Sequence, residues 1–212
     1  MNKKGIVMSD TYSPPARQRV RIITLRIALL MAVPLIIFST PAWGNETLTL
    51  EIFENIGILL LIGGVIGRLW SILYAGGRKN EMIVQIGPYS ICRHPLYLFS
   101  TIAMLGLGMM LGSIVLTVLL TGTVFAVLSA TARREEKHLR TKFGAAYDEY
   151  ASRVPRILPS PFAYVSPREV TVNLSAFHST MLDAVGFLML IPFAEFVELL
   201  REVQSVPHFV IW

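Results

Sequence analysis

Five runs of apolar residues, at 22–43, 56–74, 96–111, 113–131 and 181–200, constrain this chain more than any other feature. A helix needs about 20 mostly apolar residues to cross the hydrocarbon core of a bilayer. Charged residues make up 16% of the 212 positions and hydrophobic ones 53%, whereas soluble domains are usually about a quarter charged. The expected fold is therefore all-α: a polytopic membrane protein of about five transmembrane helices.

The first run begins only after a polar and basic stretch, 1–21, which is late for a cleavable signal. It reads as a span with Arg26 reaching back to the surface, and a signal or anchor is the weaker alternative. The next connection, "GNETLTLEIFEN", carries acids and no Lys or Arg, while "AGGRKNEMIVQIGPYSICRHP" is rich in glycine and cations. The third and fourth runs are separated only at Gly112, so they are expected to form a tight antiparallel hairpin. After Thr131 the composition shifts to "ARREEKHLRTKFGAAYDEYASRVPRILPSP". There Leu139, Phe143, Tyr147 and Tyr150 recur at the period of one helix face. That predicts a cytoplasmic amphipathic helix on the membrane surface, with Gly144 as a bend point. Residues 155–167 are proline-punctuated and expected to be irregular. The last run contains Asp183, Pro192, Glu195 and Glu198, and a fifth span, a re-entrant segment and an interfacial helix all fit it. Lys and Arg concentrate before 22, between 74 and 96, and after 131, which puts these three segments in the cytoplasm. The chain divides into a cytoplasmic tail (1–21), a membrane core (22–160) and a C-terminal segment (161–212).

The net charge of +5 is dispersed beside apolar segments, so it reads as a topology signal, with no nucleic acid implied. Cys92 is the single cysteine, which excludes an intrachain disulfide and a thiolate zinc site. His178 and His208 have no partners at ligand spacing, and no metal is expected.

Each hairpin arm covers about 25 Å of bilayer, so the chain returns to the side it left. "CRHP" before one arm then lies near "RREE" at the end of the other. This sets Tyr89, Arg93, His94 and Tyr97 opposite Glu135 and Glu136, with Leu139 nearby. Such a cluster at a membrane edge suits a zwitterionic or charged small molecule. An Arg93–Glu136 salt bridge that merely locks the hairpin is the alternative.

Together "GPYSICRHPLYL", the hairpin with "GLG", and "RREEKHLRTKFGAAYDEYASRVPRILP" resemble the isoprenylcysteine carboxyl methyltransferase and phospholipid methyltransferase superfamily of integral membrane enzymes. The resemblance covers roughly residues 76–159 and rests on Arg-His-Pro-x-Tyr, then Glu-Glu-x-x-Leu and Phe-Gly-x-x-Tyr. It implies S-adenosylmethionine bound at the cytoplasmic membrane edge by Arg93, His94, Pro95, Tyr97, Glu135 and Glu136. Gly106 and Gly108 match a Gly-x-Gly assigned to the cofactor in phospholipid methyltransferases. Small residues at such positions also let membrane helices pack closely. Where many members place a glycine two positions after the tyrosine, this chain has Phe99.

Methyl transfer from a sulfonium chiefly needs alignment of donor and nucleophile and exclusion of water. Glu135 and Glu136 are suited to the donor's ammonium or ribose hydroxyls and Arg93 to a carboxylate. Arg93 and Glu136 are the residues expected to carry the reaction on a lipophilic or small acceptor entering from the membrane lipid. An NADPH-dependent sterol-type reductase and a non-enzymatic membrane scaffold are the rival readings. Arg68, inside the second run, either snorkels or reaches a pocket carboxylate. Cys92 reads as inert and His138 as solvated. Tyr147, Tyr150, Arg153 and Arg156 form either a lid over the pocket or an interfacial belt.

Overall fold

A computed structural model describes residues 39–41, 48–76, 82–203 and 209–211. The expected first span and the tail 1–21 lie outside the described residues, apart from Ser39–Pro41. Those three residues form a strand, β1, paired in parallel with Phe209–Ile211, β2. Everything else with regular structure is helical. Among the described residues three helices are long and apolar enough to cross a membrane, and a shorter apolar helix packs between two of them.

Helix α1, Leu48–Ala75, begins eight residues before the predicted run. The acidic connection is therefore largely helical: Glu51 and Glu54 sit in the first turns, where carboxylates favour the positive helix end. Asn55 Nδ2 also bonds to Glu51 O at 2.7 Å. After the short helix α2, Pro88–Ile91, helix α3 spans Pro95–Met110 and α4 spans Ile114–Phe143. These two arms form the hairpin, turned by Gly112 at φ 70° and capped by Ser113, whose side chain accepts from Leu116 N.

Helix α4 does not stop at the predicted end of the apolar run. It continues unbroken through the basic and acidic residues to Phe143, about 45 Å in all. Gly144, at φ 55°, then breaks the chain and α5, Ala145–Arg153, folds back. The amphipathic helix is thus split, and its face does not rest on lipid. Tyr147 and Tyr150 are buried and pack with Val154, Ile83 and Leu139.

The core lies where α1 crosses α3. Gly57 and Gly64 of α1 and Gly106 of α3 bring the backbones together, and Leu61, Ala103, Met104 and Leu107 fill the remaining space. Gly67 leaves a notch that the Phe99 ring fills, so the bulk at position 99 is accommodated by α1.

Helix α6, Leu174–Leu188, and helix α7, Leu190–Val203, make up the C-terminal run. They meet at Met189, three residues before Pro192, whose ring cannot continue a regular ladder. The pair runs antiparallel to α1. Ala176 lies by Gly76 at the end of α1, Asp183 faces Arg68, and Ala194 joins the core beside Leu61 and Met110. The β1–β2 pairing joins the chain before α1 to the chain after α7, as a crossing requires.

Candidate active site

Between α2 and α3 the chain runs extended through Cys92 to His94. Its N–H groups are satisfied by the segment after α5: Arg93 N donates to Pro155 O (2.9 Å) and His94 N to Arg156 O (3.2 Å). Ser160 N donates to Ile91 O and Gly87 N to Val165 O, so residues 155–165 strap the whole "GPYSICRHP" segment. Pro95 opens α3, where a missing N–H costs nothing. Cys92 is buried against this strap, and its thiol donates to Ile157 O at 3.2 Å. Burial pushes the thiol up to about 11, so it stays protonated and inert, as expected.

The polar extension of α4 brings the acidic pair to this segment, as the hairpin argument required. The two acids, however, take different places. Glu136 is 1% exposed. Arg156 holds it with Nε–Oε1 at 3.0 Å and Nη2–Oε2 at 2.7 Å. Arg93 Nη1 and His94 Nε2 lie 3.3 and 3.2 Å from the same Oε1. Glu135, more exposed, lies 3.8 Å from His94 Nδ1. His94 thus stands between the two carboxylates and stacks on Tyr97, ring centres 5.4 Å apart.

Beside this cluster opens a cleft, partly open to the surface. Of the predicted residues, Tyr89, Arg93, His94, Tyr97, Glu135 and Leu139 line it. Tyr147 and Tyr150 of α5 line it too, and Ile83, Val84 and Leu96 add apolar wall. Tyr150 donates to Tyr89 O at 2.8 Å. Burial raises the hydroxyls of Tyr89, Tyr147 and Tyr150, so all three remain neutral hydrogen-bonding groups. Arg93 Nε and Nη1 are buried and make no hydrogen bond among the described residues.

Four predicted site residues stand elsewhere. Pro95 is buried at the start of α3, and Glu136 sits behind the wall with its oxygens already occupied by cations. Gly106 and Gly108 are packing glycines: a Cβ at 106 would meet Leu61 N at 2.4 Å, and one at 108 would meet Thr117 Cα at 2.4 Å. Arg68 does not line the cleft. It bonds to Ser100, pairs with Asp183 at 3.6 Å and lies over the Phe187 ring.

A family model described as phospholipid methyltransferase matches residues 52–146, from α1 into the start of α5. Protein-S-isoprenylcysteine O-methyltransferase of Schizosaccharomyces pombe is 34% identical over 94 residues, covering 44% of this chain and 40% of that protein. Two bacterial proteins match nearly end to end. Nickel-cobalt-cadmium resistance protein NccN of Alcaligenes xylosoxydans xylosoxydans is 32% identical over 91% of this chain and 90% of its own length. Cobalt-zinc-cadmium resistance protein CzcN of Cupriavidus metallidurans is 33% identical over 87% and 84%. The chain belongs to the isoprenylcysteine and phospholipid methyltransferase superfamily. No solved structure matches it.

Within this methyltransferase superfamily chain, Arg156 is one of the four residues that sequence reasoning left open between lid and belt. It is neither: it locks Glu136 from behind the cleft. Arg156→Ala should lower stability by about 1.5–3 kcal/mol, the range for hydrogen bonds to charged groups. Arg156→Lys should recover only part of this, because an ammonium cannot reproduce the fork. Thermal unfolding in detergent reads both, and full recovery by lysine would contradict the bidentate lock.

Proposed function

We propose that this membrane methyltransferase binds S-adenosylmethionine in the cleft and methylates a lipophilic or small acceptor at the cytoplasmic edge of the membrane. The observation that carries the reading is the buried, hydrogen-bond-deficient guanidinium of Arg93 facing the same cleft as Glu135. Nη1 has an ion pair with Glu136 at 3.3 Å, but Nε has no acceptor among the described residues, and a buried donor without one is costly. A carboxylate arriving from a ligand relieves that cost, and Glu135 across the cleft complements an ammonium or sugar hydroxyls. The cleft sets a guanidinium, a carboxylate and apolar and aromatic wall side by side, which matches the carboxylate, ammonium and apolar parts of the donor, so the residues present fit the group.

When bound, the donor supplies a methyl group already activated on a sulfonium. The chain's part is orientation and dryness. Arg93 fixes the carboxylate end, Glu135 the opposite charge, and Tyr97 is braced by His94. Tyr89, Tyr147 and Tyr150 wall the cleft with Ile83, Val84 and Leu96, which limits water around the reacting atoms. Glu136 acts at one remove, by holding Arg93 and His94 in place. The excess of Lys and Arg on the cleft side of the chain supports a cytoplasmic site. A prenylated cysteine carboxylate and a phospholipid amine are acceptors consistent with the superfamily.

Calorimetric titration of the detergent-purified protein with S-adenosylhomocysteine, in parallel with NADPH, tests this reading. Arg93→Ala and Glu135→Gln are each expected to weaken S-adenosylhomocysteine binding by about 10- to 100-fold, as loss of one charged hydrogen bond implies. Binding of NADPH alone would replace the methyltransferase reading with a reductase. The names of the two nearly full-length relatives also favour a role in tolerance to metal cations. In this reading such a role acts through the methylated product. It therefore requires Arg93 and Glu135, which growth of a metal-sensitive host expressing each variant would measure.

A further inference from the structure

The geometry points to a second contact with lipid, separate from the spanning helices: the tip of the strap, residues 158–165, inserts into the headgroup region of the bilayer beside the cleft. Phe162 is 102% exposed, Leu158 80% and Val165 62%. Exposed apolar side chains are ordinary on a lipid-facing helix. These three stand on irregular chain and a single turn of 3-10 helix, Pro161–Ala163, outside every candidate span.

Nor are they exposed because the segment is loose. Ser160 N donates to Ile91 O at 2.9 Å, Val165 N to Ser90 Oγ at 3.0 Å, and Val165 O accepts from Gly87 N at 2.7 Å. Pro159 and Pro161 further restrict the backbone. The apolar side chains are therefore held outward from a fixed frame and cannot fold back onto the protein.

Depth follows from the aromatic neighbours. The Tyr164 ring lies 5.9 Å from Trp70, which stands on α1 about 7.5 Å before the helix ends. Tyr74 Oη meets Ser166 Oγ at 2.9 Å. The strap thus runs beside the last turns of a spanning helix, among Trp and Tyr rings of the kind found at headgroup level. Exposed Arg153 and Arg168 stand on either side of the apolar tip in sequence, with Glu149 against the first and Glu169 beside the second, so insertion rests on the apolar side chains and their aromatic neighbours. Three side chains fall far short of the 20–30 or so residues per side that a specific protein interface uses. The bilayer is the occupant that fits.

The same strap supplies the carbonyls that hold Arg93 and His94. Lipid contact at its tip therefore keeps the cleft's edge at the bilayer surface, where a lipophilic acceptor partitions. This inference rests on the membrane embedding and stands whether or not methyl transfer is the reaction.

The test is depth-dependent quenching on the full chain reconstituted in vesicles of phosphatidylcholine with anionic lipid. Cys92→Ser provides the background, Phe162→Cys carries the fluorophore, Ser152→Cys on α5 is the aqueous reference and Val118→Cys on α4 the membrane reference. The probe at 162 should be shielded from aqueous iodide relative to 152 and quenched by a lipid nitroxide placed at headgroup level. Iodide quenching equal to that at 152 overturns the inference. So does shielding from iodide without nitroxide quenching, which indicates a protein neighbour such as a second copy.

Discussion

Replacing Glu136 with alanine is expected to cost about 3–5 kcal/mol of folding stability, the range for breaking a buried ion pair from one side. The carboxylate is 1% exposed and is the common partner of Arg93, His94 and Arg156. Without it, the largely buried guanidinium of Arg93 loses its counter-charge, while Arg156, 41% exposed, is left to turn toward water. The extension of α4 also loses its tie to both the "RHP" segment and the strap. Glutamine in its place keeps an acceptor oxygen but loses the charge and one arm of the fork, so an intermediate loss is expected. Glu135→Gln should cost less stability, because its side chain is 29% exposed, and under the proposed function its main effect falls on ligand binding. Unfolding midpoints in detergent, read beside S-adenosylhomocysteine affinity, separate the two acids. A folded, stable Glu136→Ala protein that lost only ligand binding would return Glu136 to the cleft.

The hairpin was legible because its cause is local: two apolar runs with one glycine between them admit a single arrangement, and it brings His94 to Glu136. The same logic found six residues of the cleft wall. It could not tell Glu135 from Glu136, since neighbours on a helix point about 100° apart and only the position of the strap decides which faces inward. The strap itself, residues 155–165, has no periodicity to read, and its partners lie 60 to 80 residues away in sequence. The surface helix was misplaced for a related reason. A 3.6-residue period says that one face is apolar, but lipid and a protein neighbour satisfy that face equally well. Gly144 turns the tyrosines onto the protein. For Gly106 and Gly108 the resemblance suggested a cofactor, whereas the packing alternative weighed beside it describes where they are.

That last point carries an expected result of its own: Gly106→Val should largely abolish the folded protein, whereas Gly63→Val should be tolerated. Nothing lies within 4 Å of a Cβ at Gly63, which faces outward from α1. A Cβ at Gly106 would sit 2.4 Å from Leu61 N and 2.5 Å from Gly57 O, both backbone atoms of a long helix. Gly57 and Gly64 present the reciprocal contacts from α1, at 2.6 Å to Met110 N and Ala103 N. No rotamer change relieves such contacts, so α1 and α3 must separate by about 1 Å, which also weakens dispersion along the rest of the crossing. Overpacking a core side chain typically costs about 1–3 kcal/mol, and a backbone-to-backbone crossing should exceed that range. Separation also displaces the start of α3, where Leu96 and Tyr97 wall the cleft. Any residual folded protein should therefore bind S-adenosylhomocysteine weakly. Monodisperse yield on size exclusion, compared across the two valine variants, measures the effect. A well-folded Gly106→Val protein deficient only in ligand binding would place this glycine in the cofactor site after all.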